Sequence, residues 1–167
     1  QNAENPSANL LDSDIGNHSA TYTASTEILN IVSGEITGVK SGYESQLTGD
    51  LIIPEGMGIT KIADSAFAGC TGLTMIGIPS TVYYIGANAF SGCSSLEKVA
   101  FSGSAVLASA PGTVYKQGIG ANAFYNCKNL ENIIIPNSVI NIGGYAFGNC
   151  TNVTNIDLGN GVKTIGE

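Results

Sequence analysis

Residues 62–84 read Ile-Ala-Asp-Ser-Ala-Phe-Ala-Gly-Cys-Thr-Gly-Leu-Thr-Met-Ile-Gly-Ile-Pro-Ser-Thr-Val-Tyr-Tyr, and three further copies of this pattern follow. Ala-Phe recurs at Ala66-Phe67, Ala89-Phe90, Ala123-Phe124 and Ala146-Phe147. A cysteine stands three residues beyond each Phe, at Cys70, Cys93, Cys127 and Cys150, and an aliphatic residue three beyond that, at Leu73, Leu96, Leu130 and Val153. The opening Ile falls at 62, 85, 119, 142 and 165, so three of its four steps are 23 residues. The remaining step, 34 residues from 85 to 119, is one repeat plus an 11-residue insertion. A period in the twenties is the mark of a solenoid, in which each repeat makes one rung. No single rung can bury its apolar face alone, so stability must come from stacking.

Within a rung the pattern changes along its length. Leu73-x-x-Ile76-x-Ile78 and its equivalents Leu96-x-x-Val99-x-Phe101, Leu130-x-x-Ile133-x-Ile135 and Val153-x-x-Ile156-x-Leu158 end in alternation. Alternation of that kind makes a short strand with one face in and one face out. Pro79 and Pro136 close it, since proline has no N–H for a ladder. Val82-x-x-Ile85 and Val139-x-x-Ile142 then carry the chain along the opposite wall. The Ile-Gly-x-x-Ala-Phe-x-x-Cys stretch is too short for a full helix and is expected to form a single 3-10 or helical turn, its Phe filling the interior.

Outward from the repeats the signal fades. Residues 47–61 look like a half repeat: Leu51-x-Ile53-Pro54 matches Ile76-x-Ile78-Pro79, and Ile59-x-x-Ile62 matches Val82-x-x-Ile85. Residues 20–46 are rich in β-formers, with Ser33-Gly34 as a turn, and read as a β-hairpin cap over the first rung. Residues 1–19 are polar and aperiodic, a flexible N-terminal tether. The insertion at 102–118 carries Pro111-Gly112, a turn signal, and is expected to project as a loop or small hairpin. Ile165-Gly166-Glu167 opens a further rung with no cap, which leads us to expect that the natural chain continues or that this end associates with another copy end to end. The expected architecture is four full rungs, partial rungs at both ends and an N-terminal β cap, with the repeat domain over 47–167.

Composition narrows the functional classes. The 167 residues carry a net charge of −7, with six basic residues, all Lys. A nucleic-acid binder needs clustered Lys and Arg against phosphates, so that class is set aside. No apolar run reaches the ~18 residues of a membrane span. The chain opens at Gln1 with neither Met nor a basic-then-apolar leader, which fits a mature chain whose export signal has been removed. The four cysteines share one repeat position and should stack one per rung as small buried hydrophobes. Neighbouring rungs lie about 4.7–4.9 Å apart, close to disulfide range, so a cross-rung bridge stays open at this point. Zinc is disfavoured by spacings of 23 and 34 and by the absence of a nearby His.

The repeated Ile-Gly-x-x-Ala-Phe-x-x-Cys-x-x-Leu-x-x-Ile-x-Ile-Pro-x-x-Val-x-x-Ile pattern, matched at every marked position by residues 119–142, resembles the BspA-type leucine-rich repeats of bacterial surface proteins. The likeness spans residues 47–167. It implies a leucine-rich repeat solenoid, mostly β, on an exported or surface-attached bacterial protein, and some such proteins act as adhesins. The second rung departs from the pattern at Ser102 and the insertion, and the fourth at Gly159, where Pro is expected.

Catalysis finds little purchase. The single histidine, His18, lies outside the repeats, which removes Ser-His and Cys-His pairs from the solenoid. Cysteines packed in apolar surroundings are unreactive. Glu97 and Glu131 share a repeat position but are separated by the insertion, and Asp64, Asp157 and Glu167 lack calcium-loop spacing. The expectation is no enzyme, no cofactor and no metal.

Binding is sought on the outward strand positions. If Ile76 and Ile78 point in, Met75 points out, as do Lys98, Asn132, Ile134, Asn155 and Asp157 in later rungs. Tyr115 in the insertion completes the candidate protein-contact surface. The expected partner is an extracellular-matrix or cell-surface protein. Two other classes remain open: a structural spacer, and a carbohydrate-binding module using Tyr83, Tyr84, Tyr115, Tyr125 and Tyr145, which fall at different repeat positions.

Overall fold

A computed structural model describes residues 21–23, 26–45, 47–101 and 118–167. The tether and most of the insertion, Tyr115 included, lie outside the described residues. In chain order the strands are β1 (Thr21–Thr23), β2 (Leu29–Val32), β3 (Glu35–Val39), β4 (Gly49–Ile52) and β5 (Lys61–Ile62). Then come β6 (Leu73–Ile78), β7 (Tyr84–Ile85), β8 (Lys98–Phe101) and β9 (Gly118–Ile119). The last are β10 (Asn132–Ile134), β11 (Asn141–Ile142), β12 (Asn155–Asp157) and β13 (Thr164–Ile165).

They stack into two walls. One runs β1-β4-β6-β8 and resumes as the pair β10-β12; the other is continuous, in the order β13-β11-β9-β7-β5-β3-β2. Pairing is parallel throughout except between β2 and β3. Parallel neighbours one repeat apart are what a 23-residue period must produce, because each rung places the same residue at the same height. On the continuous wall Ile36, Ile62, Ile85, Ile119, Ile142 and Ile165 therefore align in register. On the other wall Leu51, Ile76 and Val99 do the same.

The β2–β3 hairpin lies at the end of the continuous wall, with Ser33 and Gly34 both in left-handed conformation (φ 49° and 78°). That turn geometry matches the twist of a two-residue hairpin. Thr21–Thr23 has the same β-forming composition, yet β1 joins the opposite wall beside β4.

Between the walls each Ala-Phe stretch crosses as consecutive tight turns, not as a helix. Cys70 N–H bonds Phe67 O at 3.1 Å and Ala68 N–H bonds Ser65 O at 3.1 Å, each an i to i+3 closure. Two residues per turn, two before and two after the Phe, are left-handed: Ser65 and Gly69, Asn88 and Gly92, Asn122 and Asn126, Tyr145 and Asn149. Left-handed residues break helical continuation, so the turns stay separate. The Phe rings project inward and stack face to face, Phe67 on Phe90 and Phe90 on Phe124 at 5.1 Å, Phe124 on Phe147 at 5.3 Å, with planes within 6°. The repeat spacing imposes this parallel offset arrangement, which is among the favourable aromatic geometries.

One wall is interrupted where the repeat is interrupted. The second rung has Ser102 and the insertion where Pro is expected, and β8 and β10 are not paired as strands. A small opening of about 10 Å³ lies there, lined by Val99, Phe101, Leu130, Ile133 and Ile135 among others. The opposite wall does not register the insertion, since β9 pairs with both β7 and β11.

Candidate interaction surface

The outer face of the interrupted wall holds the residues that alternation selects. Met75 lies beside Lys98 on β6 and β8, Asn132 beside Asn155, and Ile134 beside Asp157, on β10 and β12. They form two groups separated by the break between β8 and β10.

Met75 does not belong to an accessible surface. It is 0% exposed and packs with Ile52 and Ala100 in a small apolar cluster separate from the main core. Alternation correctly sends it to the outer face, but on β4, β6 and β8 that face is itself covered. Asp50 on the same face is also fully enclosed and accepts a hydrogen bond from Thr74 Oγ1 at 2.8 Å. Lys98 is half-buried at the margin. The accessible part is the face of β10 and β12: Asn132, Asn155 and Asp157 are exposed, and Ile134 is 60% exposed. Asp157 Oδ1 accepts the Gly159 N–H at 2.9 Å, which ties its carboxylate to the turn after β12.

The four cysteines are free thiols, so the cross-rung bridge is absent. Each of the last three donates to the Phe carbonyl of the rung before: Cys93 to Phe67 at 3.1 Å, Cys127 to Phe90 and Cys150 to Phe124 at 3.2 Å. Burial pushes the Cys70 thiol up to about 11, with Glu44 adding to it, and Cys127 to about 12, with Cys150 adding. Cys93 and Cys150 shift the same way, chiefly by burial. Thiols held this far from ionisation are poor nucleophiles and poor metal ligands. Among the described residues no three His, Cys, Asp or Glu side chains converge on a metal-sized site. No helix among them is long and apolar enough to cross a membrane.

The tyrosines are distributed unevenly. On the continuous wall Lys61 reaches over the Tyr83 ring at 6.0 Å and lies 3.9 Å from Glu35. At the turn edge, the Tyr125 ring and the Tyr145 Cβ flank Gly148, although the two tyrosines occupy different repeat positions in successive rungs. Repeat-column reading treats each tyrosine alone and misses this pairing. The signal in the sequence is the column Ser65, Asn88, Asn122, Tyr145, where only the last is bulky.

The model of the BspA type leucine rich repeat region matches residues 40–110 and 117–167 in six copies, well over half of the chain. No curated protein is similar enough to count as a relative. Among solved structures the chain is similar to a leucine-rich repeat protein of T. pallidum, at 18% identity over 86% of each chain and a TM-score of 0.52. A leucine-rich repeat protein of Bacteroides capillosus ATCC 29799 matches at 23% identity over 77% of this chain and 86% of its own, with a TM-score of 0.55. A leucine-rich cell surface protein of Faecalibacterium prausnitzii A2-165 shares 31% identity over 65% of this chain and 31% of its own, with a TM-score of 0.43. The first two have the same fold. Rung period, Phe and Cys columns and the matched repeat region agree: the chain belongs to the BspA-type leucine-rich repeat family.

Proposed function

We propose that the chain is a non-enzymatic protein-interaction module, exported and displayed at the bacterial cell surface, that binds an extracellular-matrix or cell-surface protein through the outer face of β10 and β12. The observation that carries this is Ile134, an aliphatic side chain 60% exposed on a strand paired with β12, with Asn132, Asn155 and Asp157 around it. A small apolar anchor with a polar rim is how protein interfaces are commonly built. Membership of a repeat family whose extended surfaces suit protein partners supports the reading. The raised thiols support a non-catalytic role for the cysteine column.

The test is binding of the purified chain to a panel of extracellular-matrix proteins by surface plasmon resonance. Two variants accompany it: Ile134→Asp, and one with residues 103–113 replaced by a short Gly-Ser link. Saturable binding weakened at least tenfold by I134D and kept by the loop variant is the expected result. Binding lost only in the loop variant moves the contact to the insertion. No binding to any protein removes the proposal and leaves the spacer.

A further inference from the structure

A separate site lies at the turn edge of the last two complete turns. In the column two residues before each Phe, the left-handed positions are Ser65 (φ 59°), Asn88 (57°), Asn122 (56°) and Tyr145 (53°). Serine and asparagine suit such a position, asparagine especially, because its short polar side chain tolerates the left-handed well. Tyrosine does not, and Tyr145 is nonetheless 67% exposed, so its ring recovers little by packing. A bulky residue held in a strained conformation at the surface is a reason to ask what its ring does.

Gly148 points to the same place. Its φ is not in the left-handed region, so the backbone does not require glycine there. A Cβ at 148 would stand 2.8 Å from Tyr125 Cδ2 and 3.2 Å from Tyr145 Cβ. The glycine therefore admits the Tyr125 ring beside the base of the Tyr145 side chain. Beside them, Asn149 Nδ2 donates to Asn126 Oδ1. That bond leaves the Asn126 amide N–H groups as donors and the Asn149 carbonyl as an acceptor. Backbone bonds from Asn126 N–H to Gly148 O at 3.0 Å and from Phe124 N–H to Ala146 O at 2.7 Å fix the two turns relative to each other. The patch is thus preorganised.

We infer that Tyr125, Tyr145, Asn126 and Asn149 form a binding patch for a neutral saccharide. Two phenol rings offer faces for the C–H side of a pyranose, and the amide pair offers one donor and one acceptor to adjacent hydroxyls. The site lies away from Ile134 and does not depend on the protein-binding reading.

The probe is an array of neutral gluco-, galacto- and manno-oligosaccharides, with hits measured by calorimetry on the full chain. Tyr145→Asn installs the residue of the Asn88 and Asn122 positions, so the fold should be kept and the thermal midpoint unchanged or higher. Expected is at least tenfold weaker saccharide binding in Y145N, a similar loss in Gly148→Ser, where a side chain crowds Tyr125, and no change in I134D. Wild-type chain that binds no neutral oligosaccharide overturns the inference. So does Y145N that binds as well as wild type.

Discussion

At the scale of single residues, the repeated cysteine is a hydrogen-bond donor as much as a filler. Its S–H reaches down to a Phe carbonyl of the previous rung, so it needs its proton. The consequence for stability has a definite sign. A thiol whose native ionisation is raised above its ordinary value of 9.0 favours the native state while it is protonated. Its contribution is complete below about pH 9 and drains as pH rises toward about 11 for Cys70 and about 12 for Cys127. Urea midpoints should be flat from pH 7 to 9 and fall from 9 to 11, and the fall should be shallower in Cys127→Ala. A C127A slope equal to wild type would remove ionisation of that thiol as a cause. Single residues are also where reading by column failed. Met75 obeys its alternation and is buried all the same, because a strand's own periodicity says which face a side chain takes and nothing about what lies over that face. Tyr145 is legible only as an oddity in its column; that it flanks Gly148 with Tyr125 depends on the offset between successive turns.

At the scale of elements, the glycine after each opening Ile sets how closely turns can approach. A Cβ at Gly120 would lie 2.5 Å from Ala87 N, and at Gly143 2.3 Å from Ala121 N. Both clashes are with backbone, which cannot swing aside as a side chain can. Only the first rung has a side chain at this position, Ala63, and its lower neighbour is the hairpin. Gly120→Ala should therefore destabilise by roughly 1–3 kcal/mol, the usual cost of overpacking, whereas Ala63→Gly should cost at most about 1 kcal/mol. Chemical denaturation of both variants checks the contrast, and equal losses would contradict it. The strands and turns themselves were open to sequence reading because each residue type repeats at a fixed interval. The 3-10 expectation for the Ala-Phe stretch differs from what forms, since two left-handed residues per crossing divide it into separate turns.

At the scale of the whole molecule, each rung answers only to its neighbours. Ile156 and Ile165, in the last described strands of the two walls, are 53% and 60% exposed, whereas Ile133 and Ile142 one rung earlier are buried by the rung that follows them. The two-walled stack was readable in advance from the period alone. The break in one wall was not, because an insertion in the sequence does not say which of two ladders it will spare.

That spared ladder has a mechanical meaning. With β7, β9 and β11 laced continuously on one side and β8 and β10 unlaced on the other, the molecule resembles a book bound along one spine. Bending that spreads the pages at the insertion works against apolar contact, the long Glu131 N–H to Glu97 O bond at 3.4 Å and the turn bonds such as Phe90 N–H to Ala123 O at 2.7 Å, but against no strand ladder. Bending the other way must stretch hydrogen bonds that the continuous wall carries from rung to rung. A load across the stack would then meet less resistance in one direction than in the other, and the half that swings carries both Ile134 and the Tyr125–Tyr145 pair.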